Sequence, residues 1–158
     1  MSYTPNQYSL EGLSAQHVIY GRFLKKYKEL PRYDIQEAPE GSKMDMEDKI
    51  DIVKHDTVDN IKTFYDVKSS KNSDKITYTH INGKGEKSKI YSGDFSIDLI
   101  FTFDTYTEGY IVKAKTFYDA LISKINSGQE QVSKKYPEKG RYVWFTKDEI
   151  ITLAVDNI

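Results

Sequence analysis

Apolar residues recur at helical spacing over residues 9–28, where Leu10, Leu13, Tyr20, Phe23, Leu24 and Tyr27 share one stripe and Pro31 follows as a stop. The pattern predicts one amphipathic helix. Residues 33–38, "YDIQEA", alternate weakly and predict a strand, followed by the loop "PEGSKMDMED". The stretch "KIDIVKHDTVDNIKTFYDVKSSK", Lys49 to Lys71, holds two short β-like runs about a turn and predicts a hairpin. Next comes "NSDKITYTHINGKGEKSKIYSGD", polar and punctuated by Asn82-Gly83, which is compatible with an extra hairpin or a mobile loop.

Residues 95–103 alternate cleanly, with Phe95, Ile97, Leu99, Phe101 and Phe103 on one face, and "YIVKAK" supplies a second strand for a hairpin with a core face. "TFYDALISKINSG" places Phe117, Leu121 and Ile125 at helical spacing and ends at Gly128, a C-cap residue. "RYVWF" reads as a strand, and "TKDEIITLAVDNI" opens a helix with Thr146 and Glu149 at capping-box spacing. This order predicts a mixed α/β structure, a mixed central β-sheet flanked by helices.

Composition narrows the picture. A chain of 158 residues fits a single domain spanning 1–158, and 13 Tyr with 7 Phe supply large buriable surfaces in a sequence only 38% apolar. With 23 Lys and Arg against 24 Asp and Glu, the net charge of -1 excludes a polybasic protein that coats nucleic acid by charge alone. Cysteine is absent, which removes disulfides and thiolate metal sites and fits a reducing compartment. No basic-then-apolar leader opens the chain, and no apolar run approaches the roughly 18 residues of a membrane span. The expectation is a soluble, cytoplasmic protein with no membrane partner.

Asp51 and Asp66 interrupt the two runs of the first hairpin, although aspartate is disfavoured inside strands. With the turn centred between Val58 and Asp59, Asp51 stands opposite Asp66, Ile52 opposite Tyr65, and Ile50 opposite Val67. The apolar set then faces a core, and Asp51, Asp66 and Lys68 share the reverse face. A one-residue slip would misplace an apolar set, whereas a two-residue shift keeps parity. Opposed carboxylates at Cβ separations of ~5 Å repel, and a divalent cation would relieve them. Mg²⁺ binds through one or two carboxylates and keeps much of its water, and Lys68 adds an ammonium that stabilises developing negative charge. In a chain 30% charged, the plain alternative is a solvated strand face.

These residues resemble the PD-(D/E)xK nuclease superfamily, whose signature is an acid at the end of one strand and an acid-x-Lys on the next: here Asp51 and the triplet Asp66, Val67, Lys68. Within it, "APEGSKMDMEDKIDIVKHD...FYDVKSSK" is most similar to archaeal-type Holliday junction resolvases and small phage or homing nucleases. The resemblance covers roughly residues 10–120 and is clearest over 38–71. It implies a restriction-endonuclease-like core, with Asp51 and Asp66 as ligands of Mg²⁺ (or Mn²⁺) and Lys68 supporting the attacking water. It also implies DNA as substrate, branched or recombination DNA included, a 5′-phosphate product, a homodimer for cutting both strands, and a bacterial or phage-infected host.

The family commonly carries a glutamate in the first helix a few residues after a glycine; here "GLSAQ" puts Gln16 there, with Glu11 and His17 the nearest substitutes. Ile50 stands where the motif often has proline. A decayed nucleic-acid-binding accessory protein of the same fold and a small interaction protein are the alternatives. His55 and His80 read as surface histidines, and the lysines at 84, 87, 89, 113, 115, 134 and 135 are candidates for phosphate contacts along a groove, although each taken singly reads as solvated. The tyrosines, which stack on unpaired bases in some proteins, are left to strand and core use.

Overall fold

The structure, a computed structural model, describes residues 7–39, 42–46, 49–70, 74–104 and 106–158, with the backbone alone over 7–13 and 45–46. Leu10, Leu13 and Glu11 therefore have side chains outside the described residues. The elements run α1 (Gln7–Lys26), β1 (Tyr33–Glu37), α2 (Lys43–Met46), β2 (Ile52–Asp56), β3 (Ile61–Ser70), β4 (Lys75–Ile81), β5 (Ile97–Phe103) and β6 (Gly109–Val112). After these come α3 (Ala114–Asn126), β7 (Gln131–Val132), β8 (Arg141–Thr146), α4 (Lys147–Leu153) and β9 (Asp156–Asn157). The predicted mixed α/β architecture is the one observed. Among the described residues no helix is long and apolar enough to cross a membrane.

A six-stranded sheet, ordered β1-β2-β3-β5-β6-β9, is mixed because β3 and β5 pair in parallel while the other neighbours are antiparallel. Parallel neighbours need a long crossover. The crossover here is the polar stretch whose fold the sequence left open. It forms β4, a strand of a second, three-stranded sheet ordered β4-β8-β7. Asn82 does make the expected turn, its Oδ1 accepting the N–H of Lys84 at 2.9 Å and of Glu86 at 3.0 Å. Ile81 and Lys87 form an antiparallel bridge around it, so a short hairpin is present, followed by a loop, while β4 itself pairs with β8.

The main sheet is covered on both faces. On one, Ile19 and Phe23 of α1 pack on Ile52, Tyr65, Ile100 and Ile111. On the other, the second sheet and α3 bring Tyr78, Val143, Phe145, Phe117 and Leu121 onto Leu99, Phe101 and Val112. β5 thus lies between two cores, and Ile100 is as buried as Phe101, although its alternation predicted one core face. Phe95, placed on that face by the pattern, lies before β5 and is partly exposed against Tyr118, ring centroids 5.2 Å apart. Leu24 of α1 is exposed, because the buried stripe follows Ala15, Ile19 and Phe23.

Several boundaries move for local reasons. β6 ends at Val112 rather than running on through Lys115, since the Asp98 carboxylate accepts the Ala114 N–H at 2.9 Å and begins α3 there. His80, expected at the surface, is fully buried. Its Nε2 meets Glu130 Oε2 at 2.7 Å and its ring packs on the edge of Tyr91. Position 80 falls on the inward parity of β4 with Ile76 and Tyr78, so the strand dictates burial and the carboxylate supplies the partner. After α4 the chain turns back, the Val155 N–H reaches Ile111 O at 2.9 Å, and β9 adds an edge strand the sequence did not signal.

The Thr146 hydroxyl accepts the Glu149 N–H at 3.1 Å while Glu149 Oε1 accepts the Thr146 N–H at 2.9 Å, which completes the predicted capping box. Thr146→Ala is expected to cost about 1 kcal/mol of unfolding free energy in urea titration, with an unchanged m-value.

Candidate active site

The hairpin register is the expected one, with Ile52 opposite Tyr65 and Lys54 opposite Thr63. Asp51 lies just before β2 and is fixed by its backbone: its N–H donates to Tyr65 O and its carbonyl accepts the Ala38 N–H, both at 2.8 Å. Parity sends Ile52 and Tyr65 to the α1 core and leaves Asp51, Asp66 and Lys68 on the face toward the second sheet. Lys49, two residues upstream, holds a left-handed φ of 59° where the chain enters this segment.

Three polar contacts organise the group. The Val67 N–H donates to Asp51 Oδ2 at 2.7 Å, the Asp51 and Asp66 carboxyls hydrogen-bond to each other, and Lys68 Nζ sits 3.1 Å from Asp66 Oδ2. Burial, then the Asp66 charge and the shared hydrogen bond, push the Asp51 carboxyl up to about 8, against the Val67 N–H and Lys68 that pull it down. The Asp66 carboxylate, above all, pushes the Lys68 ammonium upward. At neutral pH the pair therefore keeps one proton and Lys68 keeps its charge, so this lysine is built to stabilise anions rather than to accept protons.

The trio floors a cleft of about 710 Å³ whose opposite wall comes from the edge of β4 and the loop after it. Thr77, Tyr78 and Thr79 line one side, and Lys87, Ser88, Lys89 and Ile90 line another. The Tyr78 hydroxyl donates to Ser88 Oγ at 2.8 Å, and the Ser88 N–H donates to His80 O at 2.9 Å, so the loop is tied to β4. Lys49, Lys68, Lys87 and Lys89 set four cations around the acidic floor. A cleft lined this way concentrates polyanions while keeping carboxyl oxygens at its base.

Gln16 of α1 is buried, as its stripe position predicted, and its Nε2 donates to Ala38 O at 3.3 Å. It thus meets the site one backbone step away, through the residue whose N–H holds the Asp51 carbonyl. His17 is exposed and pairs with Glu37, whose carboxylate lies 2.6 Å from Nδ1. His55 pairs with Asn60 Oδ1 at 3.0 Å, in the β2–β3 hairpin. Of the other lysines, Lys113 and Lys115 contact Asp98 and Asp119.

Among the described residues no cluster of three or more His, Asp or Glu forms a closed metal cage. Two adjacent carboxyls that retain a proton because they are buried and face each other are, however, a hard-oxygen site a cation can enter by displacing that proton. This donor set fits Mg²⁺ or Mn²⁺ and not a thiolate- or imidazole-bound metal. Sequence reasoning found the floor of the cleft and named Lys87 and Lys89 among the candidate lysines of a phosphate groove, but it missed Lys49 and Tyr78; the alternation of Ile76, Tyr78 and His80 was the available signal for Tyr78.

No family model matches the sequence, and no curated protein matches it. Among solved structures the fold is similar to that of a bacterial homing endonuclease, I-Ssp6803I, with a TM-score of 0.50, 16% identity, and coverage of 72% of this chain and 74% of that one. A nuclease from a fusselovirus aligns with a TM-score of 0.49 and 18% identity over 94% of this chain and 89% of its own. At this identity the first similarity establishes the fold, which is one that a nuclease uses.

Proposed function

We propose that the protein is a metal-dependent DNA endonuclease of the PD-(D/E)xK type. The observation that carries this reading is the meeting of Asp51, Asp66 and Lys68 on the floor of a lysine-rimmed cleft, within a fold shared with a homing endonuclease. Asp51 and Asp66 would hold Mg²⁺ or Mn²⁺, and such an ion supplies Lewis-acid charge against phosphate oxygens and acidifies water.

The chain's own groups do the rest. The Val67 N–H fixes the Asp51 carboxyl, and Asp66 keeps Lys68 protonated and aimed. The Lys68 ammonium stabilises charge that builds on the phosphate as its ester bond breaks. Gln16 holds the Ala38 carbonyl and thereby the strand end that positions Asp51. Lys49, Lys87 and Lys89 orient the DNA backbone by charge. Branched or recombination intermediates fit as substrates, a homodimer would place two such sites on two strands, and the cytoplasm of a bacterial or phage-infected cell would supply the DNA.

Purified protein incubated with linear and branched DNA is expected to cut in Mg²⁺ or Mn²⁺, leaving 5′-phosphates, and to stop in EDTA. Tight binding without cutting under every metal would favour a decayed accessory protein instead, and neither binding nor cutting would refute both. Because Lys49, Lys87 and Lys89 carry the contact in a chain with no net positive charge, affinity is expected to fall about tenfold or more between 50 and 200 mM salt, read by fluorescence anisotropy.

A further inference from the structure

β8 alternates between inside and outside. Val143 and Phe145 enter the core under the second sheet, and Trp144 and Tyr142 point the other way. Trp144 is the only tryptophan of the chain, and 40% of it is exposed. An indole with a sheet beneath it is ordinarily covered, so its exposure asks for an occupant. Tyr142 stands edge-on to it with ring centroids 5.6 Å apart, and the Lys75 ammonium lies 4.8 Å from the indole.

The strand register connects this face to the cleft. Trp144 is paired with Thr77 and Tyr142 with Thr79, and the same two threonines line the cleft that holds Asp51 and Asp66. Adjacent strands are about 4.8 Å apart. The two rings therefore stand one strand out from the cleft wall, on the outer face of the second sheet.

We propose that Tyr142 and Trp144 form a stacking platform for unpaired DNA bases, so that the preferred substrate carries a single-stranded segment, a flap or branch, beside the cut. This rests on the DNA-cleaving reading above. Bases inside a duplex stack on one another and hide their faces, and a protein ring can stack only on bases that have left the helix. The surroundings fit a nucleic acid better than a protein. Lys75, Thr77, Thr79, Gln131 and Thr146 border the rings, whereas the centre of a protein interface is depleted of lysine. The Lys75 ammonium lies over the indole, and beside a base stacked there it would face the adjoining phosphate.

The lone tryptophan is its own reporter. In EDTA, so that no cutting occurs, intact protein is titrated with a single-stranded oligonucleotide, a blunt duplex of the same sequence, and that duplex bearing a single-stranded flap. Trp144 emission is expected to be quenched by the single strand and the flap and to change little with the blunt duplex. By anisotropy of labelled DNA, Trp144→Ala should bind the flap substrate about tenfold more weakly, and Trp144→Phe should recover most of the loss. Circular dichroism checks that both variants fold. Unchanged emission, or flap affinity equal to wild type in Trp144→Ala, overturns the proposal. So does self-association in sedimentation that Trp144→Ala abolishes, since the face would then be a protein contact. Binding in EDTA is independent of cleavage: a protein that cuts blunt duplex in Mg²⁺ with a silent Trp144 keeps the nuclease reading and loses only this one.

Discussion

Asp66→Asn is expected to lower Mg²⁺-dependent DNA cleavage by about a thousandfold under single-turnover conditions, the upper end of what one electrostatic group in a catalytic site contributes. Asparagine preserves the shape of the side chain and removes its charge, and that charge does two jobs. It lies 3.1 Å from the Lys68 ammonium, which it holds protonated and in place, and it faces Asp51 as the second carboxyl of the pair. Losing it frees the lysine to swing toward solvent and halves the anionic donors of the floor.

Lys68→Ala is expected to lose about a hundredfold, since the carboxyl pair persists, and Lys68→Arg should recover part of the rate by keeping a charge at a displaced position. As an ammonium stabilised by Asp66, Lys68 adds no alkaline limb to the pH–rate profile below its ordinary value of 10.5. Affinity for DNA in EDTA should stay within about threefold of wild type in all three variants, because Lys49, Lys87 and Lys89 remain. An Asp66→Asn protein that cuts at the wild-type rate would remove the carboxyl pair from the chemistry.

The central hairpin was legible in the sequence because its parity is overdetermined. Ile52, Tyr65 and Val67 cannot reach one core unless Asp51, Asp66 and Lys68 share the other face, and one apolar slip would break both sets. Gln16 was likewise readable as buried from its helical stripe. The far wall of the cleft was not. β4 has its alternation, but its inward set ends in a histidine, and its partner β8 lies far along the chain, beyond β5, β6 and α3. Local pattern can register that a strand exists without saying which strand it joins. His80 looked like a surface residue because its partner, Glu130, arrives from a distant loop. The grouping of Lys49, Lys87 and Lys89 depends on that same non-local closure, so no spacing in the sequence encodes it.

Asp51→Asn is expected to stabilise the metal-free protein at pH 8 by about 2 kcal/mol and at pH 5 by roughly a third of that. The sign follows from proton counting. The carboxyl has an ordinary value of 3.8 when unfolded and is pushed up to about 8 in the folded chain, so between these values the folded state holds the proton more tightly. Stability that Asp51 contributes at low pH is therefore lost as pH rises through this window. Asparagine cannot ionise, keeps an oxygen for the Val67 N–H, and escapes the loss. The full shift would correspond to a larger energy, but relaxation of the pair and partial access to solvent reduce it.

In thermal melts the variant should gain roughly 4–8 °C at pH 8 in EDTA. Millimolar Mg²⁺ should raise the wild-type melting temperature more at pH 8 than at pH 5, because a cation competes with the retained proton, and it should not raise that of Asp51→Asn. If wild type and variant melt alike across this pH range, the Asp51 carboxyl is not raised in the folded chain, and neither its burial nor its facing Asp66 calls for an ion. A gain in stability at the expense of Mg²⁺ response would instead mark the pair as strain kept for function, since a chain selected for stability alone would place asparagine at one of these positions.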